Sequence, residues 1–154
     1  LTAPAAPSFF PMHPDLLPIT AQRLASDVRS ALLPRFGVAS QQFEDAVHRA
    51  MRVHCGGFDG GPWFCWSLSN RALYVAPQSD EIVHVRIDAA RPVVAMTSHA
   101  AGIVATLLAY CELCGHANLR YDHATARVFS VGYDRVRAFA SGHVEAVAIT
   151  AAID

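Results

Sequence analysis

Between Trp63 and Thr97 the chain consists of four short β-rich runs, WFCWSLS, ALYVAP, IVHVRID and VVAMT, and on both sides of that block its apolar residues recur at helical spacing. The breaks are Asn70-Arg71, Gln78-Ser79-Asp80 and Ala89-Ala90-Arg91-Pro92, each short enough for a hairpin. The block therefore predicts a small antiparallel meander of about three to four strands. Within IVHVRID, Val83, Val85 and Ile87 point one way and His84 and Arg86 the other, the alternation of a sheet with one wet face. Packed with about four to five helices, such a meander makes an α+β fold. At 154 residues the chain can build one compact domain with a full core.

The helices are read from caps and periodicity. Thr20 after Pro18 is the expected N-cap of a helix to about Leu33, with Leu24, Val28, Ala31 and Leu32 on one side and Pro34 as its stop. A second helix is expected from Ser40, with Phe43, Ala46, Val47, Ala50, Met51 and His54 on a single face, ended by the glycines of CGGFDGG. Ser98 is the expected cap of a helix through about Cys114. Its strip of Ala100, Ala101, Gly102, Ala105 and Ala109 would lie close against the sheet. Gly inside a helix costs roughly 1 kcal/mol relative to Ala, so Gly102 points to a close approach. A loop with Gly115, Asn118 and Asp122 should follow. Two helices then fill Ala124 to Asp154, broken at Ser141-Gly142, with Val128, Val131, Val136 and Phe139 inward in one and Val144, Val147, Ala148 and Ile153 in the other. Leu1–Pro18 holds five of the nine Pro and no periodicity, so it is expected to be an extended arm before a single domain over residues 19–154.

Charge excludes two classes of function. Twelve Arg, no Lys and thirteen acids leave a formal charge of -1, too little for a protein that holds nucleic acid by bulk charge. The acids are scattered, unlike the dense anionic surface of a DNA mimic. No apolar run reaches the roughly 18 uncharged residues that span a bilayer, and LTAPAAPSFFPMHP lacks the basic start of a secretory signal, so a cytoplasmic protein without a membrane partner is expected. Cys55, Cys65, Cys111 and Cys114 are then expected as reduced core thiols.

Several constellations could carry chemistry. CELCGH offers Cys111, Cys114 and His116 as a metal site or redox pair, but zinc wants four ligands, His123 alone lies near enough to add, and the spacing fits no standard finger. No nucleophile elbow, His-Glu-x-x-His helix or phosphate-cradling loop accompanies the eight His. CGGFDGG precedes a strand and carries Asp59, which favours a turn over an anion cradle. Trp63 and Trp66, three apart, should face opposite sides of the sheet, one in the core and one available to a partner. The alternatives left open are a small Cys/His zinc or thiol-dependent enzyme and a DNA-binding accessory protein.

Three blocks, in order, resemble the ArdB/KlcA antirestriction family. FDGGPWFCWSLSNRALYVAP matches at Phe58, Asp59, Gly60, Gly61, Trp63, Leu68, Ser69, Asn70, Tyr74, Ala76 and Pro77. MTSHAAGIVATLLAY is similar to the family's Ala-Ala-Gly-Ile-Val helix, and YDRVRAFASGHVEAVAITAAID to its final helices, with His143, Glu145, Ala146, Ala152, Ile153 and Asp154. Arg71-Ala72 stands where the family has Gly-Gly, and Ser98-His99 replaces a small and an acidic residue. The resemblance implies a compact α+β protein of a plasmid or other mobile element that relieves type I restriction of unmodified DNA. It implies no cofactor and no catalytic residue. The partner would be the host type I restriction-modification machinery, met directly or through a host factor, with room for a weak DNA contact. The expected binding surface is Asp59, Trp63, Ser69, Asn70 and Tyr74 in the hairpin, with Glu145 and Asp154 near the C-terminus.

Overall fold

The computed structural model describes residues 17–154, in the order β1 (Ala21–Arg23), α1 (Val28–Phe36), a 3-10 turn (Gly37–Ala39), α2 (Ser40–His54), β2 (Cys55–Gly56), β3 (Trp63–Leu68), β4 (Leu73–Pro77), β5 (Ile82–Val85), β6 (Val94–Thr97), α3 (Ser98–Leu119), α4 (His123–Ser141) and α5 (Ala146–Ile153). The arm expected over Leu1–Pro18 lies outside the described residues except for Leu17 and Pro18, both exposed. The architecture is the expected α+β, with helices packed on small antiparallel sheets around one core.

The four β-rich runs form two hairpins in separate sheets, ordered β1-β3-β4 and β2-β5-β6, instead of one continuous meander. The division falls after Pro77, which has no N–H to extend a ladder. The following segment is also committed elsewhere, because Ser98 N–H donates to Glu81 O (2.7 Å) and His99 N–H to Ser79 O (3.3 Å). The chain between the hairpins thus satisfies the first donors of α3, and β5 pairs instead with β2 and β6. The two hairpins differ accordingly. β4 is buried at every position, whereas β5 alternates exposed and buried, with Val83 and Val85 inward.

The first helix is displaced from the expected span. Thr20 precedes a short edge strand, β1, and the N-cap is Asp27, whose carboxylate accepts from Ser30 N–H at 2.9 Å. Those bonds to Ser30 hold the Asp27 carboxyl below its usual range. Pro34 lies within the helix, which runs two residues further and closes where Gly37 N–H donates to Leu33 O. α2 starts at Ser40 as expected and buries Phe43, Ala46, Val47 and Met51.

α3 is the centre of the fold. Thr97, one residue before the expected cap, accepts from Ala100 N–H through its side chain, and the helix continues past Cys114 to Leu119, so Gly115 and Asn118 are helical. Every residue from Ala100 to Leu107 is buried, against α2 on one side and β4 and α4 on others. The expected close approach is at Gly102, where an added Cβ would sit 2.5 Å from Ala76 Cβ. By length and composition α3 could cross a membrane, but two-thirds of its apolar window (67%) is covered by the rest of the fold, which makes it a core helix. In α5 Ile149 and Ala152 are buried and the expected Ala148 and Ile153 pack against the core, while Val147, and Val144 just before the helix, face solvent.

Candidate functional site

The hairpin turn is held by three elements. Ser69 exchanges bonds with Thr20, its N–H donating to Thr20 O and its Oγ accepting from Thr20 N–H, both at 2.9 Å. Asn70 Nδ2 donates to Arg135 O of α4 (2.9 Å), and its Oδ1 accepts from Ala72 N–H (3.3 Å). Arg71 carries the turn at φ 72, a left-handed conformation that costs a side-chain-bearing residue on the order of 1 kcal/mol. Ser69 and Asn70 therefore fasten the turn to the body.

Tyr74 belongs to the core and not to a contact surface, at 1% exposure. Its ring stacks on Phe139 (5.4 Å) and lies parallel to Trp66 (6.0 Å), and its hydroxyl is 2.9 Å from His99 Nε2. His99 Nδ1 lies 2.9 Å from Pro77 O, an atom that can only accept, so Nδ1 carries the proton. In the neutral ring Nε2 then accepts from Tyr74 Oη–H, and burial pushes the phenol well above its ordinary value, keeping it protonated. His143 sits 6.3 Å away, its Nδ1 accepting from Glu145 N–H at 3.0 Å. Burial lowers its pKa, opposed by the Glu145 carboxylate and reinforced by His99.

Glu145 closes this seam. One carboxylate oxygen accepts from Thr97 N–H (2.9 Å), and the other accepts from the Thr97 hydroxyl (2.5 Å), which itself accepts from Ala100 N–H. The carboxylate thereby ties the turn before α5 to the positive end of α3. Both nitrogens of His99 are spoken for, and the hydroxyl on Nε2 is the buried Tyr74 phenol, held protonated, so the seam locks β4, α3 and the α4–α5 turn together. The sequence reading names His143 only as a family match and His99 only as a departure, and does not bring the two together. They stand 44 residues apart by their numbers, and nothing local in the sequence couples them.

Asp59 and Trp63 lie elsewhere. Asp59 is exposed in a loop whose Gly57, Gly60 and Gly61 all have positive φ. Trp63 is half-buried, its ring edge-on to His48 (4.7 Å) and Phe58 (5.6 Å). It borders a groove with Glu44, one of whose carboxylate oxygens is buried with no hydrogen-bond partner. Trp66 is half-buried too, so neither Trp is wholly core. Asp154 accepts two bonds of 2.7 Å from Arg137 and ties the end of α5 to α4.

All four cysteines are free thiols. Cys65 is buried and Cys55 half-buried, and burial pushes their pKa values up to about 12 and about 11. Cys111 is exposed and Cys114 half-buried on the continuing helix, so this pair is not the buried core pair expected. A thiol with a raised pKa is not an activated nucleophile. Among the described residues no group of three or more His, Cys, Asp or Glu is arranged to hold a metal ion, so the structure lends nothing to a centre at Cys111, Cys114 and His116.

Comparison with known proteins extends the resemblance over most of the chain. The sequence model of a family described as "Antirestriction protein" matches residues 56–154. Two Escherichia coli proteins named Antirestriction protein KlcA are 36% identical over 141 residues (89% of this chain, 94% of the relative) and 34% identical over 139 residues (89% and 96%). A solved structure superposes with a TM-score of 0.77 at 31% identity, covering 90% of this chain and 96% of the other. It is described as showing, for KlcA and ArdB, a novel fold and antirestriction activity against Type I DNA restriction systems in vivo but not in vitro.

Proposed function

The chain belongs to the antirestriction protein family, and on that premise we propose that it relieves cleavage of unmodified DNA by type I restriction systems. The observation that carries this reading is the extent of the likeness, which spans nearly the whole of both chains in sequence and in fold. The protein acts by binding and not by catalysis, a reading supported by raised thiol pKa values and by histidines engaged in structural bonds. Its charge of -1 argues against mimicry of DNA. The restriction machinery of the host is the partner, reached inside the cell. Activity of the solved relatives in vivo but not in vitro favours a route through a host component. Such a protein serves a mobile element entering a new host.

The contact surface is the loop before β3. Asp59 is exposed there, and the half-buried Trp63 follows it at the start of β3. Ser69, Asn70, Glu145 and Asp154 hold the scaffold that presents it.

The experiment compares plating of unmodified phage on a host with an active type I system, with and without the protein. Restored plating with host modification intact is expected. Asp59→Ala should lose protection while stability stays within about 1 kcal/mol, as befits an exposed position. Unchanged plating in the presence of abundant, folded protein refutes the function, and full protection by the Asp59 variant refutes the surface.

A further inference from the structure

The C-terminal end of α1, the turn between β3 and β4, and α4 enclose a cleft of ≈ 300 Å³. Its rim holds Arg35, Arg71, Arg127 and Arg135, four of the twelve Arg in the chain, and no acidic residue lines it. Arg49, Arg91 and Arg137 each pair with a carboxylate, but among the described residues none of the four rim guanidiniums does. Its floor is apolar, with Phe36 and Val131 between the cations.

The rim is assembled before any ligand arrives. Arg35 donates to the carbonyl of Arg71, and Asn70 donates to the carbonyl of Arg135, so the hairpin turn is fixed to both helices. Arg127, Val131 and Arg135 recur every four residues on one face of α4. Arg71 holds a left-handed backbone position that glycine would occupy without strain, and it contributes a fourth cation there.

We propose that this cleft binds a nucleoside polyphosphate. The volume is at the small-molecule end of ligand sites, and a mostly apolar floor with a few fixed charges is the usual composition of such sites. A lone carboxylate would leave most of the rim unmatched. The phosphates of a nucleoside di- or triphosphate present several charges along a short chain, in the bidentate geometry that guanidinium favours. The base lies on the floor beside Phe36, and the phosphates reach the arginines.

Calorimetric titration of the full chain with ATP, ADP, AMP and tripolyphosphate tests the assignment and reads binding independently of protection in cells. ATP and ADP are expected to bind saturably, at least about tenfold more tightly than AMP, the scale of one lost charge-assisted contact. Arg71→Gly, which relieves the backbone, and Arg127→Gln, on an exposed helix face, should each weaken ATP about tenfold or more with no fall in Tm. Absence of saturable binding overturns the proposal, as does binding that both variants leave unchanged. Tripolyphosphate equalling ATP would overturn the nucleotide, and saturable binding only to an acidic peptide such as poly-glutamate would assign the cleft to a protein partner instead.

Discussion

Two alanine substitutions in one helix should act in opposite directions. At Gly102 a new Cβ would lie 2.5 Å from Ala76 Cβ, 2.7 Å from Ala76 Cα and 3.1 Å from Pro77 Cδ. Ala76 is wholly buried in a strand flanked by β3, so backbone must move before the clash is relieved. Overpacking of this kind costs typically 1–3 kcal/mol, and a contact with backbone belongs at about 3. Ala gains about 1 kcal/mol over Gly in a helix interior, leaving a net loss of about 2 kcal/mol. At Gly115 nothing lies within 4 Å, so only the gain remains. Urea unfolding followed by circular dichroism should place the two midpoints on either side of wild type. For a chain of this length the Gly102→Ala loss corresponds to a fall in Tm of about 4–8 °C. A Gly102→Ala variant as stable as wild type would refute the fixed contact between α3 and β4.

Two further outcomes follow from the turn and the seam. Asn70→Ala removes a donor to Arg135 O and an acceptor for Ala72 N–H, and should cost about 1–2 kcal/mol in urea unfolding; an unchanged midpoint would detach the turn from α4. His143 has a folded pKa below its ordinary value of 6.5, so the unfolded chain binds the proton more readily. Its contribution to stability is complete above about pH 6.5 and is lost as the pH falls toward the folded value. Tm measured from pH 7.5 downward should therefore drop less in His143→Gln than in wild type, and parallel curves would remove His143 from the pH dependence.

What the sequence made legible was local. Phe43, Ala46, Val47 and Met51 repeat along one face of α2, and all are buried. Gly102 announced a close approach because a helix interior penalises glycine. β1 was missed because Ala21-Gln22-Arg23 is exposed throughout, and its position is set by backbone bonds to β3, including Leu24 N–H to Cys65 O, with no apolar signature. The division of the meander depended on Ser79 and Glu81 capping α3, contacts that join residues some twenty apart. Of the site residues, Asp59 stayed exposed in its glycine-flanked loop, while Tyr74 went to the core because continuous apolar burial of β4 leaves no wet face.

The family-like blocks are thus fold-determining before they are functional. Ala76 and Gly102 set the distance between strand and helix, Asn70 fastens the turn to α4, and Glu145 fastens α3 to the α4–α5 turn. Each holds the scaffold by a contact seen in this structure. In the function proposed above, recognition falls to side chains that the scaffold does not use. Asp59 is one, exposed where nothing in the core requires an acid. Arg71 is another, since it occupies with strain a position that Gly would fill without it. In the proposed nucleotide site the backbone strain at Arg71 is offset by what its side chain meets, a cleft with three more arginines.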